Sequence, residues 1–197
     1  MHLTRESWTD ADAADTTLAV LPVGSTEQHG PHAPLGTDVL TAEAVAEAGA
    51  DRYADPVVVA PAIPVGIAEE HRRFSGTLWT SESTFRDYVR DVVGSLAAHG
   101  WDRVVVVNGH GGNIAALKEV TARIVRHDDA YAVPFTWFDE VGEHTSDMGH
   151  AGLLETSMLR NTDPETVHDD RLEAAAADGA DGWGEWQGRV NLAVDSD

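Results

Sequence analysis

Along the chain, short runs of consecutive apolar residues alternate with stretches in which apolar positions recur every three or four residues. Unbroken apolar runs of this length read as strands buried on both faces, and the 3.6-residue period reads as amphipathic helix. "TLAVLPV" (17–23) predicts a first strand and "PVVVAPAIPVG" (56–66) a second, ending in proline and glycine breakers. "DRVVVVN" (102–108) predicts a third and "YAVPFTWF" (131–138) a fourth. Between them, "VLTAEAVAEAGA" (39–50) predicts a helix rich in Ala and Glu, with Thr37 or Asp38 available as its cap. The stretch from Thr80 and Ser81 to Gly100 predicts another, with Phe85, Val89, Val92 and Leu96 on one face. A third helix leaves the glycine-rich turn after the third strand and carries Ile114, Leu117, Ile124 and Val125; "AGLLETSMLR" (151–160) opens a fourth. Strands alternating with helices point to an α/β fold, a mainly parallel sheet with crossover helices. From about residue 170 the text turns glycine- and acid-rich, and no repeat or linker divides the chain, so residues 1–197 read as a single domain.

Composition narrows the function classes. A chain of 197 residues with 42% hydrophobic content can bury a substantial core. The first residues, "MHLTRESWTD", are polar and no apolar run is long enough to cross a bilayer, so no signal peptide or membrane span is expected. There is no cysteine, which excludes disulfides and thiolate metal sites and makes a cytoplasmic location the default. Thirteen basic residues, of which only Lys118 is a lysine, stand against 34 acidic ones, a net charge of −21. Such a chain repels nucleic acid and acidic membrane surfaces. The acidity is spread along the sequence rather than gathered in a tail, the pattern expected of adaptation to a salt-rich cytoplasm.

The chemistry collects at strand ends. "GSTEQHGPHAPLGTD" (24–38) follows the first strand and crowds Glu27, His29, His32 and Asp38 between turn-forming residues. "NGHGGN" follows the third strand with Asn108, His110 and Asn113. In open α/β sheets ligands bind beyond the carboxyl ends of the strands, so the two loops can meet there. Glu27 and His29, two residues apart, face one side of an extended segment. Imidazole and carboxylate ligands without sulfur suit Zn, Mn or Fe(II), and one carboxylate can bridge two ions that activate a shared water. Helix capping is the competing role for Asp38. "NGHGGN" lacks the lysine and spacing of a phosphate-binding P-loop. A third cluster, "MGHAGLLETS", brings His150 and Glu155; His71, within "EEHRRFSGT" (69–77), reads from its surroundings as part of a solvated loop. No G-x-S-x-G, cysteine nucleophile or strand-linked G-x-G-x-x-G is present, which leaves hydrolysis by a metal-activated water as the chemistry these residues can run.

"LPVGSTEQHGPHAPLGTD", "VNGHGGN" and "HAGLLETS", in that order, closely resemble the creatininase (creatinine amidohydrolase) family, from about Leu18 to Arg160, and the likeness includes the His71–Thr77 element. The resemblance implies a creatininase-like three-layer fold, a mainly parallel sheet flanked by helices, with a two-metal hydrolytic centre. It also implies a small-molecule substrate, two Zn and/or Mn ions, and a homo-oligomer, commonly a hexamer. By position, Glu27 and His110 would hold one metal, His29 the other, and Asp38 would bridge them. His150 would act as the proton shuttle for the departing nitrogen, with His71, Gly111 and Gly149 as candidate substrate contacts. Two departures stand out. Creatinine-hydrolysing members carry a ligating glutamate two positions after the motif histidine, where this chain has Gly112; Glu155 is the expected replacement, in the metal centre and in catalysis, and creatinine itself becomes a weaker substrate candidate. Members also continue past the "GWGEW" region, so the expectation is a domain shortened at its C-terminus. The implied activity is cleavage of a C–N amide bond in a small cyclic amide or formamide. The alternatives are a mycofactocin-type precursor peptidase, a formylaminopyrimidine nucleotide deformylase, and a catalytically silent binder stabilised by metal.

Overall fold

The computed structural model describes residues 1–142 and 149–179. Met148 of the third cluster and the "GWGEW" segment (182–186) lie outside the described residues. The elements run α1 (Trp8–Asp12), β1 (Leu18–Val23), α2 (Thr37–Arg52), β2 (Val58–Val59), α3 (Glu82–Ala98), β3 (Arg103–Asn108), α4 (Ile114–His127), β4 (Tyr131–Thr136), α5 (Trp137–Gly142), α6 (Leu153–Thr162) and α7 (Leu172–Gly179). The four strands form one parallel sheet in the order β2-β1-β3-β4.

Alternation along the strands builds the layers, because successive side chains leave opposite faces. Ala19, Leu21 and Val23 of β1 and Val104 and Val106 of β3 pack with Phe85, Val89, Val93 and Leu96 of α3 and Leu117, Val120 and Ile124 of α4. The intervening Val20 and Val107 face the other way, onto Ala42 and Ala46 of α2. Helix α6 packs against α2, and the result is three layers, helices on both faces of a parallel sheet, as expected.

Several boundaries differ from the sequence reading. Only Val58 and Val59 of the 56–66 run form β2; Pro61 and Pro64 carry no N–H for a ladder, and beyond the strand the segment keeps a single bridge, Ile63 to Val23. Neither Thr37 nor Asp38 caps α2: Gly36 holds the cap position and both residues lie inside the first turn. On α3 the fully buried position is Val93, with Val92 packed at the edge of the core, and on α4 Val125 is exposed. Strand β4 stops at Thr136, and Trp137 starts a helix. Helix α1 was not anticipated, although Ser7 and Asp10 form a capping box.

The register decides where the chemistry can sit. Val23 lies level with Asn108, and Asn108 with Thr136, so β1, β3 and β4 end at one edge of the sheet. The loops that leave β1 and β3 emerge there side by side.

Candidate metal centre

Asp38 reaches this edge because α2 presses its first turn against the end of β3. A Cβ on Gly109 would lie 2.1 Å from the Asp38 carbonyl oxygen, a contact only glycine permits. Asn108 and Asn113 brace the same turn: Asn108 donates to the His110 carbonyl at 2.8 Å, and Asn113 donates to the Gly24 carbonyl at 3.1 Å while accepting the Ile67 N–H at 3.1 Å. The β1 loop and the β3 loop are thus tied by amides across 89 residues of sequence.

Two histidines face the Asp38 carboxylate from opposite sides. His29 Nε2 is 3.0 Å from Oδ1 and His110 Nδ1 is 3.0 Å from Oδ2. Each ring is oriented by its other nitrogen, which donates to a main-chain carbonyl: His29 Nδ1 to Glu27 at 3.2 Å, His110 Nε2 to Ile67 at 2.7 Å. Glu27 Oε1 lies 3.3 Å from His110 Nδ1, and Glu155 Oε2 lies 3.8 Å from His29 Nε2 while accepting the Ala151 N–H at 2.8 Å. Glu27, His29, Asp38, His110 and Glu155 are all buried.

Burial of three carboxylates needs a counterweight. Both Glu27 oxygens, Asp38 Oδ2 and His29 Nε2 are sealed from solvent without a well-directed hydrogen bond. Lone pairs that converge closely but with poor hydrogen-bond angles are what cation ligands present before the cation. Two adjacent groups have ligand-type spacing, Glu27–Asp38–His110 and His29–His150–Glu155, each with ligand atoms within 4.8 Å of one another. The donor set, imidazole with carboxylate, fits zinc or manganese. Orienting a ligating histidine through a main-chain carbonyl is the usual support of such a site.

Electrostatics follow the same geometry. Burial alone would lower His29, but Asp38, Glu155 and Glu27 outweigh it and raise it to about 9. His110 is likewise raised despite its burial, by Asp38 and Glu27. Burial would raise Asp38, yet the two histidines hold it well below the usual carboxylate range. Glu155 is pushed up to about 7, chiefly by burial. Burial and the neighbouring His29 push His150 down to about 3.

The other expected positions fall around this core. His150 lies with its ring 4.4 Å from that of His29 and its Nδ1 3.5 Å from Glu27 Oε1; its side chain is 28% exposed, so it is the accessible member of the group. His71 is not on a solvated loop: it is buried and stacks on His150 with ring centres 4.7 Å apart. That partner lies 79 positions further on, out of reach of any local pattern. Gly111 and Gly149 are exposed, and a Cβ at either would meet nothing within 4 Å, which leaves open space beside His110 and His150. His32 is buried but pairs with Thr156 Oγ1 at 2.9 Å, bolting the first loop to α6 rather than joining the metal groups. A side chain at Gly112 finds no room, since its Cβ would come within 2.3 Å of the Ile67 carbonyl oxygen and 2.6 Å of His110 Nε2. Glu155, the expected replacement, lies on the His29 side, its Oε2 3.8 Å from His29 Nε2. Missed altogether were Gln28, whose side chain contacts both His71 and His150, and Ala151, whose left-handed φ of 54° turns the chain between His150 and Glu155.

The sequence matches the profile of the creatininase family, described as creatinine amidohydrolase, over residues 3–196. The chain belongs to the creatininase family. Among its relatives is the mycofactocin precursor peptide peptidase of Mycobacterium ulcerans, 40% identical over 80% of this chain and 63% of that protein. This creatininase-family chain thus spans just under two thirds of the peptidase. Another is the creatinine amidohydrolase of Pseudomonas putida, 29% identical over 87% of this chain and 74% of that protein. A solved mutant creatininase of the Zn-Zn type superposes with a TM-score of 0.68 at 27% identity over 86% of this chain and 75% of that one. A structure described as "Creatininase Mn" gives 0.69 at 27% identity over 86% of this chain and 76% of that one. The three-layer architecture is therefore the creatininase fold.

Proposed function

We propose that this protein is a divalent-metal amidohydrolase that cleaves a C–N amide bond of a small substrate. The reading rests above all on one observation: His29 and His110 face opposite oxygens of Asp38 at 3.0 Å, each pinned from behind by a main-chain carbonyl. Glu27 and His110 would hold one cation, His29 and Glu155 the other, with Asp38 between them. Two divalent cations at such a centre polarise a carbonyl and lower the pKa of a water; the Zn-Zn and Mn forms of solved relatives support zinc or manganese here. His150 faces the centre from its accessible side, with Nδ1 3.5 Å from Glu27 Oε1. It can take a proton from the attacking water and deliver it to the departing nitrogen as the C–N bond breaks. Gly111 and Gly149 leave room for the substrate, and the stacked face of His71 borders it.

The relatives carry different names, so substrate choice is a separate matter. A second reading, peptidase action on a precursor peptide, is favoured by the 37–40% identity to mycofactocin precursor peptide peptidases against 29% to creatinine amidohydrolase. The test is turnover by protein loaded with Zn or Mn, in high salt, on creatinine, formamides and C-terminal peptides, with His150→Ala alongside. Metal-dependent hydrolysis, read as creatine from creatinine or formate from formamides, that disappears in His150→Ala supports the amidohydrolase. Activity confined to peptides favours the second reading. Full metal occupancy without turnover on any of these substrates contradicts both and leaves a silent binder.

A further inference from the structure

Glu27, Gln28 and His29 are consecutive, yet all three side chains are buried at one place. In an extended segment the middle one would face away from its neighbours. The chain has left β1 by this point, and Gln28 turns inward with them. Its Oε1 accepts the Gly30 N–H at 2.9 Å, which assigns the oxygen end of the amide. The NH₂ end therefore faces His71 Nδ1 at 3.1 Å and His150 Nε2 at 3.0 Å. The Gln28 main-chain carbonyl lies 2.7 Å from the same His150 nitrogen. Whichever tautomer His150 adopts, Nε2 finds a partner on Gln28: the carbonyl for an N–H, the amide for a lone pair.

His71 and His150, with Glu27, place one ligand-type atom each within 4.8 Å of one another. Two imidazoles and a carboxylate at that spacing form a zinc-competent set. They differ from the neighbouring centre in one respect. There the histidine nitrogens face carboxylate oxygens; here His150 Nδ1 faces Glu27 Oε1 at 3.5 Å, but the positive end of the amide dipole stands against His71 Nδ1 and His150 Nε2. We propose that Gln28 is a positioning residue that keeps divalent cations off His71 and His150 and reserves this pair for substrate. The inference rests on the two-cation reading of the neighbouring centre.

The test counts zinc per chain after equilibrium dialysis of the wild-type protein, Gln28→Met, Gln28→Ala and the double variant Gln28→Met/His71→Ala. Methionine keeps the length of the side chain without hydrogen-bond donors, and alanine removes the amide if methionine is not accommodated. The expected counts are two for wild type, three for a folded single variant and two for the double variant, a gain of one zinc that requires His71. Two zincs in wild type and in every folded single variant overturns the inference and leaves the proposed function standing. Gln28→Glu is the control. A third zinc there alone, with the methionine and alanine variants at two, also overturns the inference, because the new carboxylate rather than the lost amide then makes the seat. Fewer than two zincs in wild type defeats the proposed function, and the inference with it.

Discussion

Replacing Gly112 with alanine is the smallest change that addresses the architecture of the centre. The added Cβ would stand 2.3 Å from the Ile67 carbonyl oxygen and 2.6 Å from His110 Nε2, the two atoms of the 2.7 Å hydrogen bond that orients the His110 ring. One obstacle is backbone and the other is a buried ring held at Nε2 by that bond, so neither yields like the end of a flexible chain. Relief requires His110 to swing away from Ile67, which moves Nδ1 off Asp38 and Glu27. Disturbing the partner that orients a ligating histidine typically lowers metal affinity about 10- to 100-fold, roughly 1.4–2.7 kcal/mol. Overpacking adds a cost of about 1–3 kcal/mol to folding. Competition against a zinc-binding dye reads the first and thermal denaturation of the metal-free protein reads the second. Wild-type zinc affinity in Gly112→Ala, with unchanged stability, would refute the reasoning, since His110 could then be neither tightly held nor a ligand.

Other consequences follow from the same structure. Zinc must displace the protons that the carboxylates hold on His29 and His110, so affinity should climb with pH until about 9, with proton release visible as buffer-dependent heats in calorimetry. A pH-independent affinity between about 6 and 9 would contradict this. In the metal-free protein His29 is raised from its ordinary 6.5 to about 9, so its contribution to stability is complete below about 6.5 and is lost as pH rises toward 9; chelator-treated protein should melt earlier at about pH 9 than at about pH 6. Phe85→Ala empties a fully buried position between α3 and the sheet and should cost about 3–5 kcal/mol in denaturant unfolding, with metal content per folded molecule unchanged. With a net charge of −21, the fold should gain thermal stability as KCl screens its self-repulsion, and a melting temperature insensitive to salt would count against that origin.

The parts of this architecture that were legible in the sequence are those written in local pattern. The apolar runs of β1 and β3 and the period of α3 and α4 arise from burial within one element, and the loops after β1 and β3 carry their candidate ligands in short, dense motifs. Prolines cut the second run short because ladder pairing, not apolarity, defines a strand. His71 and Gln28 were out of reach for a different reason. Both contact His150, which arrives from a segment far along the chain, and an exposed-looking "EEHRR" gives no sign of it. Glu155 lay between the two cases: its position after His150 was visible, but its approach to His29 depends on the left-handed turn at Ala151.

The central claim is that the Asp38 carboxylate lies between two divalent cations. Anomalous diffraction from zinc-loaded crystals, collected on both sides of the zinc absorption edge, tests it most directly. The account predicts two zinc peaks flanking Asp38, one against Glu27 and His110 and the other against His29 and Glu155. A single peak, or none touching Asp38, would contradict it.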